Sequence, residues 1–325
     1  MTQIDSSVFN DVRNACRAVA DNARHVRIAS EAVPHLVARL CATEPELPAL
    51  DTTSHHVGTP PETAAFFLTL AAVNFGSGYF PHLRKRPGRS GYYTIATALK
   101  ERFERSGPIS ARDLAAMTAA DCATTFGQDR SDPDIAELME RFSVAWNDLG
   151  RDMLARADGD VTRYLAAANG RAHRLVRLLA GQPFFHDVQD YHGLSVPFFK
   201  RAQLLASDLS LALDGEGLGR FDDLGQLTIF ADNLVPHVLR LEGVLLYTPD
   251  LLDAIESGHL LPAGSDEEIE IRACSVHAVE CVIDAARAEG LEWTARDVDQ
   301  LLWHRGQTGD YKSRGKRHRT KTVFY

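Results

Sequence analysis

Residues 266–290 read DEEIEIRACSVHAVECVIDAARAEG, and this stretch gives the clearest indication of the fold. Three acids open it, where the dipole of a helix favours negative charge. Apolar side chains then recur at the spacing of one helical face. The stretch therefore predicts one long amphipathic helix.

Most of the remaining chain has the same character. Residues 62–75, ETAAFFLTLAAVNF, place their apolar side chains on adjacent helical stripes. Strand signals are few and short, and the clearest are EGVLLYT at 242–248 and KTVFY at 321–325. We therefore expect an all-α fold.

A third long helix is predicted within residues 195–215, SVPFFKRAQLLASDLSLALDG. Ser195 can cap such a helix, and Pro197 suits its first turn. Gly215 follows the last apolar position, where a helix commonly stops.

The chain has 325 residues, of which 45% are hydrophobic and 24% are charged, typical of a globular protein with a full core. No repeat period and no low-complexity linker divides it. We expect one compact domain over residues 1–325, with two lobes at roughly 1–130 and 131–325.

The net charge of −9 argues against a general binder of duplex DNA or of membrane surfaces, because such proteins need a positive field. Residues 311–325 are the exception, with six Lys/Arg and no acid. No stretch approaches the roughly 20 uncharged residues of a membrane span. A membrane is therefore not expected as a partner.

The five cysteines are scattered and odd in number, which suits a reducing compartment better than a disulfide framework. The first residues, MTQIDSSVFNDVRNAC, lack the basic start and apolar block of a signal peptide. We expect a cytoplasmic protein. The sequence carries no signal for an oligomeric state.

Four residues on the predicted helix 266–290 have the chemistry of metal ligands: Cys274, His277, Glu280 and Cys281. Residues seven apart on a helix are separated by roughly 10 Å along its axis, which is too far for one tetrahedral site. Cysteines on a buried stripe explain the pattern better. The chain also lacks a Walker A loop, a nucleophile elbow and a strand-linked dinucleotide fingerprint. We predict no metal and no cofactor.

An aspartate stands inside the apolar segment LTIFADNLVPHV, residues 227–238. In a continuous helix Pro236 would remove the hydrogen bond to the Asp232 carbonyl, so a helix break is expected there. Asp232 or Asn233 can then cap the following helix. Alternatively, Asp232 is a functional carboxylate at the break, able to stabilise positive charge or activate water, with walls formed by Ile229 and Phe230.

Three other features have a structural and a functional interpretation. Lys200 lies on the polar side of its predicted helix, as a solvated lysine or as a ligand group. Residues 73–93 mix aromatic side chains such as Phe75 with bases, which suits core packing or the binding of bases and phosphate. His55 and His56 precede a Pro-Pro turn, where histidines are commonly just exposed.

Taken together, the segments resemble the queuosine salvage protein family, the queuosine 5′-phosphate N-glycosylases. The resemblance runs in family order from about residue 55 to the end of the sequence. The matching pieces are VNFGSGYFP, SGYYTIATALKERFERSGPI, FFKRAQLLASDL, LTIFADNLVPHVL, GVLLYTPDLLDAIESGHLLPAGSDEEIEIRACSVHAVE and HRTKTVFY. It implies an all-α fold similar to helix-hairpin-helix DNA glycosylases. It also implies hydrolysis of queuosine 5′-monophosphate to queuine and ribose 5-phosphate, for queuine salvage into tRNA.

The resemblance also implies site residues. Asp232 matches the aspartate of the family's F-A-D motif, as nucleophile or transition-state stabiliser, and Phe230 lines the base pocket. A family histidine matches His55, with His56 as the adjacent alternative. Asp299 matches an acidic position near a late L-W pair.

Two positions depart from the family's pattern. His304 stands where many members have an acid, so its contact to the base differs. The aromatic F-x-F-W that follows the asparagine in the family is replaced by FGSGYF at residues 75–80.

The implied reaction passes through an oxocarbenium-like state, which a nearby carboxylate stabilises. A 7-deazaguanine has no N7 to protonate, so His55 and Asp299 are the candidates that assist its departure. Stacking on Phe230 and Phe75 would orient the base. The candidates for holding the 5′-phosphate are Lys200, Arg317, His318 and Arg319.

Two rival functions share some of these features. A DNA or RNA base glycosylase would share the fold and the aspartate, but the net charge of −9 disfavours it. A non-catalytic helical interaction protein would lack a small-molecule pocket. We therefore expect a small-molecule substrate and no direct contact with nucleic acid.

Overall fold

The computed structural model describes residues 7–43 and 49–325. Within these ranges the chain forms fifteen α-helices and four short strands. The helices of the first half are α1 (Ser7–Asn22), α2 (Val33–Thr43), α3 (Pro60–Val73), α4 (Gly91–Ser106), α5 (Ala111–Ala116), α6 (Ala119–Phe126), α7 (Pro133–Ala157), α8 (Val161–Ala166) and α9 (Ala172–Ala180). Those of the second half are α10 (Lys200–Ala212), α11 (Val235–Leu241), α12 (Pro249–Ser257), α13 (Asp266–Ala288), α14 (Ala295–Gly306) and α15 (Gly309–Ser313). The expectation of a mostly helical protein is confirmed; the likeness to helix-hairpin-helix DNA glycosylases stays a prediction.

The strands form two small antiparallel pairs. Strand β1 (Val26–Ile28) pairs with β4 (Leu245–Tyr247), and β2 (Val188–Tyr191) pairs with β3 (Leu194–Pro197). The predicted strand at 242–248 is therefore confirmed. The segment 321–325 is not a strand, because its residues pack irregularly against the loop that contains Gly76.

Helix α13 confirms the prediction made from its sequence. Ser265 caps it by accepting from the Glu268 amide, and three acids occupy its first turn. The helix packs against α1, α2 and α14, so it is buried on several sides. Cys274 is fully buried, as expected of a core cysteine.

The start of α10 differs from the prediction. Ser195 and Pro197 belong to strand β3, and the helix begins only at Lys200. Phe199 adopts a left-handed conformation with φ of 49°, which breaks the helical path before Lys200. The Asp187 carboxylate accepts from the Lys200 amide at 3.1 Å, so Asp187 caps the helix in place of Ser195.

The buried side chains form two hydrophobic clusters, and the single domain with lobes at roughly 1–130 and 131–325 stays a prediction. The first cluster joins α3 to α9 with α10. The second joins α1 and α2 to the helices α11 to α14. The β1–β4 pair and the contact of α1 with α13 hold the N-terminal helices against the C-terminal ones. Among the described helices none is long and apolar enough to cross a membrane.

Candidate active site

A cleft of about 980 Å³ lies between the two clusters and collects side chains from distant parts of the chain. Its walls come from the loops before α3 and α4, from α10, from the segment before α11, from α14 and from the end of the sequence. Nine of the predicted site residues line it: His55, Phe75, Lys200, Phe230, Asp232, Asp299, His304, Arg317 and Arg319.

His56 does not line the cleft. Its ring packs against Phe66 and Phe103, with centroids 6.1 Å and 5.7 Å away. Of the two adjacent histidines, the structure therefore brings only His55 to the cleft.

Asp232 fulfils both interpretations of its sequence position. Its Oδ1 accepts from the amides of Leu234 at 2.7 Å and Val235 at 3.0 Å, so it caps the start of α11 just before Pro236. The carboxyl group also lines the cleft and is half-buried. Within residues 7–43 and 49–325, no hydrogen bond reaches its second oxygen, Oδ2. One oxygen thus fixes the orientation and the other is available to a ligand.

The backbone beside Asp232 is held by an arginine that the sequence analysis did not single out. Arg272 is fully buried on α13, and its Nε donates to the Ala231 carbonyl at 3.0 Å. Its two terminal nitrogens donate to Asp187 at 2.9 Å and 2.7 Å. Because Asp187 also accepts from the Lys200 amide, one buried ion pair positions the backbone at both Asp232 and Lys200.

Asp299 lies in the cleft wall beside Asp232. It is 5% exposed, and its Oδ1 accepts from the Phe230 amide at 2.9 Å. Burial raises the pKa of Asp299 well above its usual range, and the negative charge of Asp232 raises it further. These shifts favour the neutral acid form of Asp299 in the cleft, next to a second carboxyl group.

Lys200 is buried at the first position of α10. Burial lowers the pKa of its ammonium group, while the charge of Asp232 opposes that shift. In the described part of the chain no carboxylate lies within ion-pair distance of its Nζ. The ammonium group is thus available to an anion in the cleft.

Asp208 also lines the cleft, and sequence reasoning missed it. It lies two turns after Lys200 on α10, and burial raises the pKa of its carboxyl group to about 7 against the charges of Lys200 and Arg296. The signal in the sequence was the eight-residue spacing, which puts both side chains on one helical face.

His55 is fixed by two hydrogen bonds. Its Nδ1 lies 2.9 Å from the Asp51 carbonyl and its Nε2 lies 2.8 Å from the Tyr92 hydroxyl. Burial lowers the pKa of the imidazole, so the neutral ring is favoured. Tyr92 in turn contacts Trp303 edge-on, with centroids 6.2 Å apart, which continues an aromatic wall along the cleft.

Phe75 and Phe230 are both buried, with small areas reaching the cleft. Phe75 meets Phe142 edge-to-face, and the Arg201 guanidinium covers it at 4.9 Å from the ring centroid. Arg201 also donates to the Ala71 carbonyl at 2.8 Å, so the guanidinium that covers Phe75 is anchored to the end of α3.

The basic segment near the end of the sequence supplies cations to one part of the cleft. Arg317 and Arg319 line it, and the Arg319 guanidinium donates to the Gly258 carbonyl at 2.7 Å. His318 is different: it is 2% exposed, does not line the cleft, and lies 3.3 Å from the Tyr325 hydroxyl. Burial lowers the pKa of His318 to about 3, so it carries no charge at neutral pH. His304 is exposed at the rim.

One group of side chains in the described part could gather around a metal ion, and it lies outside the cleft. His82 contacts Asp132 at 3.2 Å and Asp134 at 3.1 Å. Lys321 forms an ion pair with Asp134, which already supplies a positive charge there. The four residues considered on α13 do not form such a group.

Comparisons with known proteins identify the family. The model of the family described as queuosine salvage protein matches residues 54–325. A protein of Sphaerobacter thermophilus named queuosine 5′-phosphate N-glycosylase/hydrolase is 36% identical, over 97% of each chain. Proteins with the same name from Dictyostelium discoideum and Bos taurus are 33% and 28% identical, over 81% and 73% of this chain and 78% and 72% of their own lengths. The chain belongs to the queuosine salvage protein family.

Proposed function

We propose that this protein hydrolyses the N-glycosidic bond of queuosine 5′-phosphate and releases queuine and ribose 5-phosphate. Its relatives carry the name of this activity over most of the chain. The observation that carries the proposal is the carboxyl group of Asp232, whose Oδ1 is locked by two amides while its other oxygen is available to the cleft.

Asp232 is the proposed catalytic carboxylate. As the bond to the base breaks, positive charge develops at the anomeric carbon, and a carboxylate held beside it lowers the barrier. The two amides and the buried Arg272 fix its position before substrate binds, so little reorganisation is needed during reaction. Low solvent exposure strengthens the interaction.

Asp299 is the proposed proton donor to the departing base. A 7-deazaguanine lacks N7, so the negative charge that develops on the leaving base must be neutralised at another nitrogen. The neutral acid of Asp299 can donate that proton, while Asp232 accepts one from the water that adds to the sugar. One water is consumed in total, and a proton then returns from Asp232 to Asp299.

The other side chains bind and orient the substrate in this proposal. The charge of Asp232 acts on Lys200 and Arg317, and these two cations hold the 5′-phosphate. Arg319 and His304 line the outer cleft, and Phe230, Phe75 and His55 form the base pocket. His318 is left out of the phosphate site because it is buried against Tyr325.

We propose that the small molecule is the direct partner, without nucleic acid. The protein carries a net charge of −9, and the cations of the cleft come mainly from residues 312–319. A duplex would need a broader positive surface. The described cysteines are all free, which agrees with a reducing cytoplasm.

The direct test is incubation of the purified protein with queuosine 5′-monophosphate, followed by mass spectrometry. We expect queuine and ribose 5-phosphate to appear in equal amounts. An intact nucleotide after prolonged incubation with a folded protein would overturn the proposal.

A further inference from the structure

We propose that Asp208 forms a separate subsite of the cleft, which binds a positively charged amine carried by the base of the substrate. The inference rests on the proposed function, because queuosine 5′-phosphate has a secondary amine in the substituent at position 7 of its base. Neither the resemblance nor the relatives' names assign a role to this residue.

The first observation is the order of charges along the cleft. The charge of Asp232 acts on Arg317 and Asp299, whereas the charge of Asp208 acts on Asp299 and Tyr92. Asp299 is therefore within electrostatic reach of both other carboxyl groups. The basic segment is at the Asp232 end, and Asp208 is towards the aromatic wall of Tyr92 and Trp303.

A substrate with two opposite charges fits this arrangement in one direction only. The phosphate at the 5′ position is anionic and the amine on the base is cationic. With the phosphate at Arg317 and the sugar over Asp232, the base extends towards Tyr92 and its substituent towards Asp208. Lys200 and Asp208 are separated by about 12 Å along the axis of α10, so one helix spans this length.

The second observation is that the carboxyl group of Asp208 lacks a partner in the described protein. No hydrogen bond or close ion pair reaches it there, although the residue is half-buried in the cleft wall and the charges of Lys200 and Arg296 act on it from a distance. Arg296 donates instead to the Ser207 hydroxyl at 2.8 Å. A carboxyl group that is partly withdrawn from water and has no close counter-ion is costly to the fold, so its presence in a cleft points to a ligand that supplies the cation.

Burial raises the pKa of Asp208 to about 7, although the charges of Lys200 and Arg296 act in the opposite direction. A bound ammonium group would favour the ionised form and lower that pKa. In the free protein the carboxyl group of Asp208 can therefore be ionised by a bound amine, whereas a base without an amine gains no binding energy from it.

The test compares two substrates in two variants. For Asp208→Asn we expect kcat/KM for queuosine 5′-monophosphate to fall by about 10- to 100-fold, the range for losing a hydrogen bond to a charged group. Turnover of 7-deazaguanosine 5′-monophosphate, which lacks the substituent, should stay within about twofold of wild type. The matched control is Asp214→Asn, which removes an acid just beyond the same helix and outside the cleft, and should change neither substrate.

Equal losses with both substrates would overturn the subsite, because they would indicate a catalytic or structural role for Asp208. Unchanged turnover of both would overturn it as well. Failure of the wild-type protein on both substrates would contradict the proposed function instead. In that case, calorimetry with queuine and 7-deazaguanine still decides: Asp208→Asn must lose the preference for queuine, and a retained preference would contradict the inference.

Discussion

Two groups of charges lie close together in this molecule and are built in opposite ways. Around Arg272 every charge is enclosed and paired: Asp187 and Glu268 face the guanidinium, and the rings of Phe198 and Tyr325 cover it at 4.0 Å and 4.8 Å. In the cleft the titratable groups of Lys200, Asp208, Asp232 and Asp299 form no ion pair with any described protein group. The paired charges around Arg272 position the backbone of the site, whereas the charges in the cleft are available to bind the substrate and to take part in the reaction.

The two groups are connected through the backbone. Arg272 holds the Ala231 carbonyl, and its partner Asp187 holds the Lys200 amide. The paired cluster therefore fixes the backbone at Asp232 and at Lys200, although the charged residues of the cluster do not line the cleft. Arg272 is a positioning residue in this account.

The largest effect is expected for Arg272→Met, which removes the cation of the enclosed cluster. The change leaves Asp187 and Glu268 buried without their cation, and we expect a loss of about 3–5 kcal/mol in the free energy of unfolding. Chemical denaturation followed by circular dichroism measures it.

The matched control is Arg151→Met, which breaks an exposed pair with Asp148. Such pairs contribute about 0–1 kcal/mol, so this variant should unfold almost like wild type. Similar losses of stability for both variants would show that the enclosed cluster contributes no more to the fold than an exposed ion pair.

A smaller effect is expected for Arg317→Gln, which removes a cleft cation. We expect kcat/KM for queuosine 5′-monophosphate to fall about 10- to 100-fold, and that for queuosine itself to change little, since only the former offers a phosphate. Steady-state kinetics with both compounds measures it.

Arg314→Gln is the control on the same segment, because Arg314 does not line the cleft. Equal losses for nucleotide and nucleoside would contradict the assignment of Arg317 to the phosphate. Deleting the whole segment would be a poorer test, since Tyr325 is buried and its carbonyl accepts from the Gly76 amide.

The smallest expected effect is on thermal stability, and its direction follows from the raised pKa of Asp299. The pKa of Asp299 is raised in the folded protein, so the unfolded chain ionises at lower pH and wild-type stability falls as the pH rises above about 4. Asp299→Asn stays neutral and its amide oxygen can still accept from Phe230.

We therefore expect the Tm of Asp299→Asn to exceed that of wild type by roughly 2 °C at pH 8, with a gap that shrinks towards pH 4. Thermal unfolding across this pH range measures it, and turnover should fall in the same variant. A Tm below wild type at pH 8, or a gap that does not change with pH, would contradict the pairing argument.

The sequence was sufficient for what local chemistry determines. Helix α13 followed from its acids and its apolar spacing, and Asp232 stood out because a carboxylate near Pro236 has no place inside a helix. Its two possible roles were not exclusive, since a carboxylate has two oxygens.

What the sequence could not reveal depends on distant partners. Arg272 gains its meaning from Asp187, 85 residues away, and Asp208 resembles any acid on the polar side of a helix until the cleft is formed. The start of α10 was misplaced because pairing of β3 with β2 outweighed the local helix signals of Ser195.

The central claim is that the carboxylate of Asp232 acts on the reaction and not on the fold. Asp232→Asn tests it most directly, because the amide oxygen of asparagine can keep both hydrogen bonds to the start of α11. The measurement is single-turnover release of queuine from queuosine 5′-monophosphate, beside the Kd of that nucleotide and the Tm of the variant. We predict a rate reduced by about 10²- to 10³-fold or more, with Kd and Tm nearly unchanged. A folded variant that releases queuine at the wild-type rate would contradict the account.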